Sequence, residues 1–217
     1  MAAHEAGFLP KPRLRGWLHL GMTPVVLIGG ILLIVFSPTL ATKIGSAVWL
    51  AGSLLLFGTS ATYHIGGWRP SVKAALRKAD HANIFVFIAA TYTPIALALL
   101  DRPNATALLA LIWSVAVAGV LVQAFWTQAP RWVNVACYLL MGWAGTGWLP
   151  AFWMSGGPAV VILIMLGGLV YTVGAVIYGR KRPDPVPAWF GFHEIFHACT
   201  IAAAGLHFAA IAVAIFG

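Results

Sequence analysis

The chain has 217 residues, 61% of them hydrophobic and 8% charged, with a formal net charge of +8. Soluble domains carry roughly a quarter charged residues and about half apolar ones, so an ordinary water-soluble fold is excluded. The basic residues sit in short clusters between apolar runs, where they would meet anionic head groups. They form no aromatic-interleaved stripe, so no nucleic-acid partner is expected.

A spanning helix takes about 20 mostly apolar residues. Residues 1–16 form a short segment, and 17–217 read as a single membrane domain. Lys11, Arg13 and Arg15 precede the first apolar run. That run is longer than the core of a cleaved signal and is read as a span. In chain order the predicted spans are 17–37, 43–66, 80–100, 105–126, 131–153, 158–179 and 189–216. Between them lie Ser37-Pro38, Gly66-Gly67, Arg102-Pro103, Ala129-Pro130, Gly156-Gly157-Pro158 and the proline-rich run from Arg182 to Pro187. Proline lacks a backbone donor and glycine lacks side-chain constraint, so both end helices readily. None of the runs alternates like a strand, and in lipid a helix satisfies its own backbone. The expected fold is an all-α, seven-transmembrane helix bundle. Cys137 and Cys199 lie inside apolar runs and read as small hydrophobes.

Seven crossings place the termini on opposite sides. With the N-terminus inside, the inner segments hold Lys11, Arg13, Arg15, Arg69, Lys73, Arg77, Lys78, Arg131, Arg180, Lys181 and Arg182, and the outer ones Lys43 and Arg102. Lysine and arginine favour cytoplasmic loops, so the N-terminus is expected in the cytoplasm and the C-terminus outside.

On this map the rare polar residues converge. Ser60 and His64 fall near the inner end of the second span, Asp80 at the start of the third, and His193 and His197 at the start of the seventh. Ser60 and His64 are four apart, as are His193 and His197, and residues at that spacing share a helix face. Two such histidines can clasp one metal ion. A third from another helix leaves the fourth tetrahedral position to water, the arrangement of a catalytic zinc. Zinc brings the pKa of such a water to about 7. Asp80 could hold and deprotonate that water, and Ser60 could donate to a developing oxyanion.

Blander readings stand beside this one. His4 and His81 read as interface residues at helix ends. A structural zinc joining the second and seventh spans would leave the same signature, and so would histidines serving only as hydrogen-bonding groups. His19 lies near the inner end of the first span with no partner four residues on, which favours a structural hydrogen bond. His207 lies 14 residues beyond His193, about 21 Å along a helix, too far for the same metal. A hydrogen bond to a neighbouring helix, or a proton role, is left to it. His193-Glu194-Ile195-Phe196-His197 also spells HExxH, the zinc-protease helix with glutamate as base. Its place at the start of a membrane helix, with no second domain to hold a peptide, makes an intramembrane protease a minor alternative.

Several motifs together resemble the bacterial hemolysin III family, relatives of the progestin and adiponectin receptors and, more distantly, of alkaline ceramidases. They are Ser60-x-x-x-His64, Lys78-Ala-Asp80-His81, Ala90-Thr91-Tyr92-Thr93-Pro94, Met141-Gly142-Trp143, Gly168-x-x-Tyr171-x-x-Gly174-x-x-x-Tyr178, Arg182-Pro183 and Phe190-Gly-Phe-His193-Glu-Ile-Phe-His197. The resemblance implies a zinc near the cytoplasmic face, with ligands at His64, His193 and His197 and a supporting pair at Ser60 and Asp80. It implies glutamine in the receptors where this chain has Glu194, against an indispensable base there. Where relatives show an acidic residue near the first span, this chain reads Arg15-Gly16-Trp17-Leu18-His19. The expected function is a zinc-dependent hydrolase of lipid amides or esters in a bacterial plasma membrane, taking its substrate from the inner leaflet. The alternative is a non-enzymatic sensor, a receptor-like regulator or a pore-forming cytolysin.

Overall fold

The structure, a computed structural model, describes residues 12–126 and 129–217; His4 and Lys11 lie outside them. The helices are α1 (Trp17–Phe36), α2 (Leu40–Ile65), α3 (Pro70–Leu99), α4 (Arg102–Phe125), α5 (Arg131–Trp143), α6 (Leu149–Arg180) and α7 (Phe192–Phe216). A 3-10 turn, Ala144–Trp148, joins α5 to α6. The starts follow local chemistry. The Thr39 hydroxyl caps α2 by accepting from the Thr42 N–H, while α3 and α4 carry proline in the first turn, where a missing donor costs nothing.

The described residues hold six helical stretches long and apolar enough to cross a membrane, not the expected seven. The predicted fifth and sixth spans form one of them, Arg131–Arg180. On its own α5 has 13 residues, about 20 Å of helix against a hydrocarbon core of about 30 Å. Gly156-Gly157-Pro158, expected to separate neighbouring spans, lies inside α6. There Gly157 takes φ 73° and ψ 179°, a conformation open to glycine. The helix kinks and resumes at Pro158. The α5 helix lies back against α6, with the Arg131 guanidinium donating to the Tyr178 carbonyl at 3.3 Å and the Trp143 indole to the Thr172 hydroxyl at 3.1 Å. The expected placement of the termini rested on an odd count of spans. The parity argument for a cytoplasmic N-terminus and an external C-terminus therefore falls.

Packing runs pairwise: α1 on α2, α2 on α3, α3 on α4, and α6 on α7. Trp49, Phe57, Phe85, Phe87, Leu108 and Ile112 fill the core, while Ile28, Val35, Leu40 and Val117 are exposed on the outside, as lipid-facing residues are. Close approach depends on small residues. A Cβ added at Gly52 would lie 2.5 Å from the Ala90 Cβ, whereas one at Gly58, further along the same helix, would meet nothing within 4 Å. Gly52→Leu should therefore separate α2 from α3 and cost about 1–3 kcal/mol by overpacking. Thermal unfolding in detergent should show a clear loss for Gly52→Leu and little for Gly58→Leu.

Candidate metal centre

The site lies at the end of the bundle where α2 finishes and α1, α3 and α7 come together. The last turns of α2 carry Ser60 and His64, and the first two turns of α7 carry His193 and His197. Asp80 was expected at the start of a span; α3 begins at Pro70, so Asp80 lies three turns inside it. Two side chains fasten the start of α7. The Asp184 carboxylate accepts from the Phe192 N–H at 3.0 Å, and the Glu194 carboxylate accepts from the Gly191 N–H at 2.9 Å. Both satisfy donors that a helix start leaves unpaired.

One ligand atom from each of His64, His193 and His197 lies within 4.8 Å of the others. The Nε2 atoms of His64 and His193 are 3.2 Å apart, and tetrahedral zinc with Zn–N near 2.0–2.1 Å sets its ligand nitrogens about 3.3 Å apart. The Nδ1 of His197 is buried with no hydrogen-bond partner among the described residues. Three nitrogen donors gathered around one point thus suit a divalent ion of the zinc type. Asp80 stands beside the ligands, its Oδ2 3.8 Å from His64 Nε2 and 4.0 Å from His81 Nδ1. Ser60 is its side-chain hydrogen-bond partner. His81 Nδ1 donates to the Arg77 carbonyl at 2.8 Å, a helix-surface bond outside the cluster.

The remaining candidates sort by contact. His19 lies flat on His197, the ring centroids 3.8 Å apart and the planes 8° from parallel, with Phe57 edge-on at 5.0 Å. It is a wall of the site, and its signal in the sequence was depth alone. The His207 Nε2–H donates to the Ile164 carbonyl of α6 at 3.1 Å, the neighbouring-helix bond considered for it. Glu194 does not have the geometry of an HExxH base. One carboxylate oxygen accepts from the Arg15 Nε–H at 2.7 Å and the other from the Gly191 N–H.

That ion pair, and the Tyr178 ring 5.6 Å from His193, escaped the sequence reading. The signal for the pair was available: a glutamate inside an apolar run needs a counter-charge. Gly16 brings Arg15 over the site. It precedes α1 with φ 89°, and a Cβ there would lie 2.8 Å from the His64 Cβ.

This fold and cluster define a multi-pass, all-helical membrane protein with a three-histidine centre capable of holding a metal ion. The chain belongs to the Haemolysin-III related family, which matches residues 8–208. It is 31% identical over 167 residues to the hemolysin-3 homolog of Bacillus subtilis (strain 168), covering 73% of this chain and 78% of that one. It is 28% identical over 155 residues to hemolysin-3 of Bacillus cereus, covering 71% and 70%. The human monocyte to macrophage differentiation factor is 26% identical over 209 residues, covering 90% and 80%. Kinship with the adiponectin and progestin receptor superfamily, expected from the motifs, is thereby shown.

Glu194 is wholly buried and Arg15 mostly so. Removing one partner of such a pair leaves an uncompensated charge, at a cost of about 3–5 kcal/mol. Arg15→Met should lower the unfolding temperature markedly, and Arg15→Met combined with Glu194→Gln should recover most of the loss.

Proposed function

We propose that the protein is a zinc-dependent hydrolase of a lipid amide or ester. The observation that carries this reading is one shared cavity. His193, His197, Asp80 and Ser60 line one region of it, and much of the remaining wall is apolar, including Ile88, Ile95, Leu139 and Met165. A polar reaction centre joined to an apolar channel matches a substrate with a polar carbonyl and an acyl chain.

His64, His193 and His197 would hold the ion. When bound, zinc supplies an acidified water and polarises the substrate carbonyl. Asp80 would take the proton of the attacking water and return it to the leaving amine or alkoxide. The Ser60 hydroxyl, bonded to Asp80, keeps that carboxylate aimed at the water. The stacked His19 ring holds His197 in orientation and keeps bulk water from that side. The apolar wall aligns the acyl chain so that its carbonyl meets the histidines.

The hemolysin names of the bacterial relatives favour a second reading, membrane permeabilisation. The exposed helix faces are apolar, so a pore would need several copies to build a polar lumen. Dye release from liposomes that persists in His64→Ala would favour this alternative.

Purified protein should contain about one zinc per chain, lost in both His64→Ala and His193→Ala. It should turn over ceramides or other acyl lipids only with zinc bound. Asp80→Asn should retain the metal yet slow turnover by about 10²–10⁴, the usual contribution of a general base. A full complement of zinc with no turnover of any acyl lipid would remove the hydrolase reading and leave the metal a structural role.

A further inference from the structure

The cavity does not stay apolar along its length. Away from the histidine cluster it is lined by Tyr171 of α6 and His207 of α7. Their ring centroids are 5.5 Å apart. His207 lies ten residues beyond His197, about 15 Å further along α7.

Most polar groups at this depth are engaged. The Thr200 hydroxyl donates to the Phe196 carbonyl, the Thr172 hydroxyl to the Gly168 carbonyl, and the Trp143 indole to Thr172. The Tyr171 hydroxyl differs, being fully buried with no hydrogen-bond partner among the described residues. Phenylalanine would fill the same space without stranding a polar group in a medium of low dielectric. His207 complements it. Its Nε2–H is committed to the Ile164 carbonyl, so its Nδ1 is an acceptor. The α6 helix is shaped to admit this ring, because a Cβ at Gly167 would collide with its Cδ2–Nε2 edge.

We propose that Tyr171 and His207 form a subsite for a hydroxyl group midway along an acyl chain, so that the protein selects hydroxylated over plain acyl chains. A hydroxyl can accept from the phenol of Tyr171 and donate to His207 Nδ1 together. A ketone could satisfy only the first, and a methylene neither. This inference rests on the reading of the cavity as the site of an acyl chain.

The test compares ricinoleate with oleate, two fatty acids that differ by one mid-chain hydroxyl. Both are titrated onto the zinc-loaded protein in lipid nanodiscs. Wild type should bind ricinoleate about tenfold more tightly, the effect of one or two buried hydrogen bonds. Tyr171→Phe should bring the ratio close to one by lowering the affinity for ricinoleate about tenfold. His207→Leu should also narrow the ratio. Equal affinities in wild type would overturn the subsite while leaving the acyl-chain cavity standing, and so would a preference that survives in Tyr171→Phe. If neither fatty acid binds, the acyl-chain reading fails and takes the subsite with it.

Discussion

A charge inside a membrane bundle must find its opposite within the protein, and here Glu194 finds Arg15. The pair joins the stretch ahead of α1 to the first turn of α7, the turn that carries His193 and precedes His197. With the Gly191 N–H and the Asp184 carboxylate, it fixes where α7 begins and therefore where two of the three imidazoles point. The third, His64, meets them from the end of α2. The convergence is produced by helix termini, each pinned by a local polar contact, and the long apolar lengths of helix need only carry those ends together.

Much of this was legible in the sequence. Apolar run length located α1 to α4 and α7 within several residues at most boundaries, because in hydrocarbon a chain has few options other than helix. It failed between α5 and α6. Gly156-Gly157-Pro158 reads as a terminator by the rules for soluble helices. In a bundle, however, neighbouring helices re-satisfy the freed backbone groups, and the helix kinks and continues. The change of helix type falls instead at Ala144–Trp148, beside Gly145. There the Tyr92 phenol donates to the Gly142 carbonyl and accepts from the Gly145 N–H. That is a tertiary contact from α3, which no local pattern could announce.

The histidine triad was legible for a different reason. Spacing of four put His193 and His197 on one face, and shared depth added His64. What could not be read was which neighbour each polar group had chosen. HExxH spells a general base only when its glutamate faces the metal, and that choice was made by an arginine far away in the sequence. His19 likewise looked isolated because its partner, the face of the His197 ring, lies on another helix.

The segment before α1 has one more attachment. The Arg13 N–H donates to the Ala188 carbonyl at 3.0 Å, and the Arg13 guanidinium sits 4.4 Å over the Trp189 ring. The chain entering α1 and the loop leading into α7 are therefore clasped together, and Arg15 continues the clasp toward Glu194. Mechanical load on the stretch before α1 would reach the imidazoles directly. A tag, tether or fusion partner beyond the end of α7 would pull on none of these fastenings.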